Sequence, residues 1–197
     1  MSQVVDPSVS LAKFNREVRK LKAQSGNLAR GWLLLRAEFP IIEIGFAAVK
    51  LQPPIIALAA RFDFTDYDVR PLSVRFIDPF KGEVLAKEQL VSKMLRLDPA
   101  IPPEMAAHMR AGSIPWPPDS AEIIQGYPGD LAFLCLPGVR EYHDNSAHSG
   151  DPWELHRATG EGSVLQIAEK IWQYGADPIA VMAFEMKATF RQAYIPS

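Results

Sequence analysis

Apolar positions along this chain repeat with two periods, and the switch between them predicts its architecture. Leu11, Phe14, Val18 and Leu21 recur at helical spacing, with Lys13, Arg16, Glu17, Arg19, Lys20 and Lys22 between them. Pro7-Ser8 can open that helix, and Ser25-Gly26-Asn27 ends it. From residue 32 the pattern turns strand-like. Runs at 32–39 and 41–46 read as one or two strands, and Pro53-Pro54 breaks them. Residues 55–64 form a further strand, in which Arg61-Phe62-Asp63-Phe64 alternates cleanly. Thr65-Asp66-Tyr67-Asp68 is turn chemistry, and residues 71–77 alternate again before Asp78-Pro79-Phe80-Lys81-Gly82. Residues 87–97 read as a short helix, 102–110 as another inside a proline-punctuated crossing, and 131–135 as a short buried strand. Ser163 caps a helix carrying Val164, Ile167, Ala168, Ile171 and Tyr174, and residues 180–191 read as a last helix. Consecutive strands followed by helices predict an α+β fold with an antiparallel meander.

The chain length of 197 residues suits one domain spanning 1–197. The net charge of −2 gives no electrostatic reason to expect nucleic acid or an anionic membrane as partner. The apolar stretches at 31–35 and 55–60 fall far short of a bilayer span, and the N-terminus has no secretory pattern. These features predict a cytoplasmic protein. No GxGxxG or GxxxxGK[ST] pattern supports a nucleotide site.

Candidate chemistry is concentrated in one place. The only cysteine, Cys135, and three of the four histidines, His143, His148 and His156, fall within 22 residues. Thiolate and imidazole do nucleophilic chemistry or hold transition metals near neutral pH. The spacing Cys135-x5-Glu141-x-His143-x4-His148 supplies four plausible zinc ligands, and His156 can replace either histidine. The plainer readings are a small buried hydrophobe at Cys135, a turn-packing residue at His156, a surface or packing residue at His108 and a packing anchor at Trp116.

The first helix, the meander and the run Phe64, Tyr67, Pro71, Val74, Phe76 resemble the ubiquitin-conjugating (E2, UBC) fold. There a crossing segment leads to the catalytic cysteine and a helix follows. The 135–148 segment also resembles the predicted metal-binding Cys-Glu-His-His family, found in bacterial operons with ubiquitin-like proteins, an E1-like enzyme and a JAB-type isopeptidase. The His-Pro-Asn motif that E2 enzymes carry upstream of their cysteine is absent, and Asp78-Pro79-Phe80 lies too far from Cys135 to replace it.

The resemblance implies an E2-like transferase that carries a ubiquitin-like protein as a thioester on Cys135 and needs no cofactor. His143 would activate the thiol or act as base, Glu141 or Asp144 would orient the histidine, and Asn145 would take the oxyanion role. The basic face of Arg16, Arg19 and Lys20 would help to bind an E1-like enzyme. Two alternatives stand beside it. One is a zinc-binding accessory protein using Cys135, Glu141, His143 and His148; the other is a non-catalytic UBC-fold interaction module.

Overall fold

The computed structural model of the chain describes residues 5–96, 98–110, 113–126 and 131–182. Helix α1 spans Pro7–Ala23. Asp6 caps it by accepting from the Ser8 amide at 2.8 Å, and Pro7 occupies the first turn, where its missing N–H costs nothing. The buried stripe differs from the expected one. It runs through Ser10, Phe14, Glu17 and Leu21, while Leu11 is 40% exposed. The reason is the 65–72 loop packed against the helix, which offers polar partners. Ser10 Oγ donates to the Tyr67 carbonyl at 3.0 Å, and Lys13 pairs with Asp68. Glu17 is 1% exposed and is met by Lys20 Nζ at 3.1 Å and Arg16 Nε at 3.5 Å.

Four strands follow as an antiparallel sheet in sequence order: β1 Trp32–Glu38, β2 Ile41–Ala48, β3 Ile55–Asp63 and β4 Ser73–Phe76. Period-2 alternation buries Ile42, Ile44, Phe46 and Ala48 of β2, Ala60 and Phe62 of β3, and Val74 and Phe76 of β4. Burying each large side chain among these contributes about 2–3 kcal/mol. The register slips at Leu35 in β1 and at Ala57 in β3, one extra residue each. The bulge in β1 lies on an edge strand, where it breaks the flat run of unpaired backbone groups.

Among its described residues the crossing from 83 to 125 has little regular structure beyond one turn and one short helix. The described part of the expected 87–97 helix, residues 87–96, does not form it; of these residues only the turn Lys87–Gln89 is helical. Residues 93–96 instead lie along 121–123. The Arg96 amide donates to the Ala121 carbonyl at 2.7 Å, and the Ile123 amide donates to Met94 at 2.9 Å. Helix α2, Pro103–Arg110, forms as expected. Beyond it β5, Ile124–Gln125, pairs with β6, Phe133–Leu134, so the strand leading to Cys135 has a partner that the sequence pattern does not mark.

A one-turn helix α3, Arg140–His143, and 3-10 turns at Ser146–His148 and Trp153–Leu155 carry the chain to α4, Val164–Ile171. Ser163 caps α4 by accepting from the Gln166 amide at 3.4 Å. Its buried face is Val164, Ile167, Ala168 and Ile171, as the spacing predicts, and a π-helical turn at Trp172–Ala176 ends it. Helices α1 and α4 touch, and the π turn packs on β2 and β3. Residues 177–182 are not helical, and the rest of the expected last helix lies outside the described residues. Among the described residues no helix is long and apolar enough to cross a membrane.

Candidate functional site

Cys135 sits one residue past β6, with both main-chain polar atoms held. Its amide donates to the Ile123 carbonyl at 2.8 Å, and its carbonyl accepts from the Arg96 guanidinium at 2.6 Å. The residue is 8% exposed. Burial pushes the thiol above its ordinary pKa, and the positive charge of Arg96 pulls the other way.

The imidazole beside the thiol belongs to His148. Its Nε2 lies 3.6 Å from Cys135 Sγ, within reach of a sulfur hydrogen bond. Its place is set by two neighbours. Asn145 Oδ1 accepts from the Ala147 amide at 3.0 Å, which caps the turn that carries His148. The Tyr142 ring stacks on His148 with centroids 3.9 Å apart and planes 20° from parallel. Tyr142 is fixed in turn, because its hydroxyl donates to Asp151 Oδ2 at 2.7 Å. That bond, with burial behind it, pushes the phenol pKa up to about 12.

Asp151 is the hub of the segment. Its other carboxylate oxygen meets His156 Nε2 at 2.5 Å, and His156 Nδ1 meets Glu161 Oε2 at 2.5 Å. The bond to Asp151 raises the His156 pKa; partial burial opposes this and Glu161 adds to it. The same bond, with that from Tyr142, holds Asp151 below the usual carboxylate range. His156 therefore bridges two carboxylates, an arrangement that favours its protonated form. Trp153, buried beneath, donates from Nε1 to the Asp68 carbonyl at 2.9 Å. Gly138 and Gly162 let this layer close. A Cβ on Gly138 would stand 2.3 Å from the Glu161 carbonyl oxygen, and one on Gly162 would stand 2.3 Å from the Trp153 ring.

The other residues expected at the site lie elsewhere in the segment. His143 does not face the thiol. Its Nδ1 is 2.9 Å from the Asp151 carbonyl and its Nε2 is bonded to the Pro137 carbonyl, so both nitrogens are committed to main chain. Glu141 points toward the sheet, bonded by Ser73 Oγ, by the Val74 amide at 3.0 Å and by Arg75 Nε at 3.3 Å. It ties α3 to β4. Asn145 is a cap, as described, and Asp144 is held by Arg70 at 2.9 and 3.0 Å. The four expected zinc ligands are therefore not brought together; the structure joins only Cys135 and His148. Among the described residues no group of three His, Cys, Asp or Glu side chains is arranged to hold a metal ion.

On α1, Arg16, Arg19 and Lys20 are exposed, with Arg16 and Lys20 leaning on Glu17. Sequence reasoning missed Tyr142, Asp151 and Arg96. Tyr142 and Asp151 lie inside the histidine-rich segment and could have been noticed there. Arg96 is 39 residues from Cys135 and carries no local signal.

A family model described as the Y4jH family matches residues 5–179. The chain belongs to the Y4jH family. It is 40% identical over 201 residues to a protein of Sinorhizobium fredii (strain NBRC 101917 / NGR234) called "Uncharacterized protein y4jH". The match covers 98% of this chain and 95% of that protein. Family membership thus takes in both the meander and the Cys135 segment, and that relative's name states no activity.

Proposed function

We propose that this Y4jH-family chain is an E2-like acyl carrier, receiving a ubiquitin-like protein as a thioester on Cys135 and passing it to an amine. The observation that carries the reading is the Cys135–His148 pair, 3.6 Å apart at the end of β6. The element order supports it: a first helix, a four-stranded meander, a long crossing, the cysteine, then helix. This rests partly on analogy of fold, so the chemistry has to stand on the pair itself.

The thiol is held above its ordinary pKa by burial, so it needs a proton acceptor at the moment of attack. His148 Nε2 takes the Sγ proton. The thiolate adds to the carbonyl carbon of the incoming thioester, held on the cysteine of an E1-like enzyme. The new C–S bond forms, the tetrahedral centre collapses, and the E1 thiolate leaves and takes a proton. In the second half an amine attacks the Cys135 thioester. The C–N bond forms, the C–S bond to Cys135 breaks, and the amine's proton restores the thiol. His148 takes the role that the spacing suggests for His143. Tyr142, Asp151 and Asn145 act through His148 by holding it. The exposed Arg16, Arg19 and Lys20 face of α1 is the proposed docking surface for the E1-like enzyme.

The zinc reading requires Glu141 and His143 to abandon the bonds that now anchor α3 and the 137–151 span. The two chemistries separate by mass. The Cys135→Ser variant, incubated with a peptide thioester ending in Gly-Gly, is expected to gain a reductant-stable ester, where wild type gains a reductant-labile one. A stoichiometric chelator-sensitive mass excess on native wild-type protein would replace the thioester reading with the metal one.

A further inference from the structure

The bond from Arg96 to the Cys135 carbonyl joins two parts of the chain that have no other reason to be polar partners. Arg96 is exposed and leaves a segment that hydrogen-bonds to 121–123, not to β6. Its guanidinium must reach across the middle segment of this small sheet to meet Cys135 at 2.6 Å. An exposed arginine that only needed solvation would have no cause to make that reach, because holding a long side chain in one geometry costs entropy. The bond is charge-assisted and short, and it ends on the residue bearing the candidate nucleophile. Asp98 and Asp119 line the same cleft of about 390 Å³.

We propose that Arg96 is a positioning residue for the Cys135 chemistry, fixing the main chain at the nucleophile and supplying a permanent positive charge beside the thiolate. This rests on the thiol reading of the site given above. Three elements then converge on Cys135: Arg96 of the crossing holds its carbonyl, His148 of the 3-10 turn meets its sulfur, and Tyr142 of α3 stacks on His148. His148 removes the proton, Tyr142 holds His148, and Arg96 favours the charge that the proton leaves behind. Guanidinium suits the task because it stays charged throughout the pH range in which a thiol titrates. The direction in which Arg96 moves the thiol pKa agrees with this assignment.

The test is the pH profile of iodoacetamide alkylation of the full chain, followed by intact mass, for wild type, Arg96→Gln and Arg96→Lys. Arg96→Gln is expected to move the midpoint to higher pH and to slow alkylation at neutral pH about threefold, a size suited to a partly solvated charge. Arg96→Lys should recover part of the shift, since it restores charge without the planar fork. Coincident profiles for wild type and a folded Arg96→Gln chain would overturn the proposal. If that variant fails to fold, wild type carries the test alone. Raising KCl from low to molar concentration should move its midpoint upward as the charge is screened, and an unmoved midpoint would overturn the proposal. Alkylation needs no acyl donor, so the two readings fail separately. A shifted Arg96→Gln profile without any peptide adduct on wild type sinks the thioester reading alone. An adduct with coincident profiles sinks the Arg96 role alone.

Discussion

The meander and the 135–161 segment are held together by different forces. Residues 32–77 form a sheet whose strands follow one another through short connections and whose inner face is Ile42, Ile44, Phe46, Phe62, Val74 and Phe76. Non-directional apolar burial dominates there, and sequence neighbours supply most of the partners. The 135–161 segment has little regular structure: one helical turn, two 3-10 turns and a dense set of side-chain bonds. Its order comes from Glu141 on β4, Arg140 on the Pro71 carbonyl, Asp144 on Arg70, Trp153 on Asp68, and Asp151 between Tyr142 and His156. The 65–72 loop that receives this segment also holds α1, since the Tyr67 carbonyl accepts from Ser10 and Asp68 pairs with Lys13. Apolar burial builds a stable platform. Directional polar bonds then place a thiol and an imidazole to within hydrogen-bond distance, which burial alone does not specify.

The contrast can be broken most heavily from the platform side. Phe62→Ala should cost about 3–5 kcal/mol and lower the melting temperature of the whole chain, with peptide uptake by Cys135 lost only as the fold is lost. Gly138→Ala attacks the second region through its backbone, because the added Cβ meets the Glu161 carbonyl. We expect about 1–3 kcal/mol of destabilisation by thermal melt, accompanied by faster proteolysis within 136–162 and little change in the sheet. His148→Gln separates chemistry from stability. Alkylation of Cys135 at neutral pH should fall about tenfold while the melting temperature holds, whereas His143→Gln should lower stability and leave the thiol largely unchanged.

The smallest effect is a matter of pH. The folded chain raises the His156 pKa, so it holds that proton more tightly than the unfolded chain does. The stabilisation from the Asp151–His156–Glu161 bridge is therefore complete below the ordinary imidazole range and is lost as pH rises through the raised value. Chemical denaturation of wild type across that window should show stability falling with rising pH. His156→Gln should flatten that part of the curve.

The sequence discloses the two regions unequally, for the same physical reason. Strand alternation at Arg61-Phe62-Asp63-Phe64 and the α4 face at Val164, Ile167, Ala168 and Ile171 are local patterns, and the structure keeps them. The α1 stripe keeps Phe14 and Leu21 but takes Ser10 and Glu17 in place of Leu11 and Val18, and both find polar partners that hydropathy alone does not foresee. The cysteine and the histidines can be gathered from composition, but their roles cannot. His143 and His148 are equivalent as letters. They part because the carbonyls of Pro137 and Asp151 take one ring, while the Asn145 cap and the Tyr142 stack aim the other. Glu141 is claimed by β4, and Arg96 arrives from a crossing whose path depends on pairing with 121–123.

The central claim is that Cys135 is an acyl-accepting thiol. The most direct test is intact mass of the full chain after incubation with a Gly-Gly-terminated peptide thioester, comparing wild type with Cys135→Ala. The account predicts one peptide on wild type, removed by reductant, and none on the variant. A folded wild type that alkylates with iodoacetamide yet takes up no peptide, or equal labelling of both proteins, would contradict it.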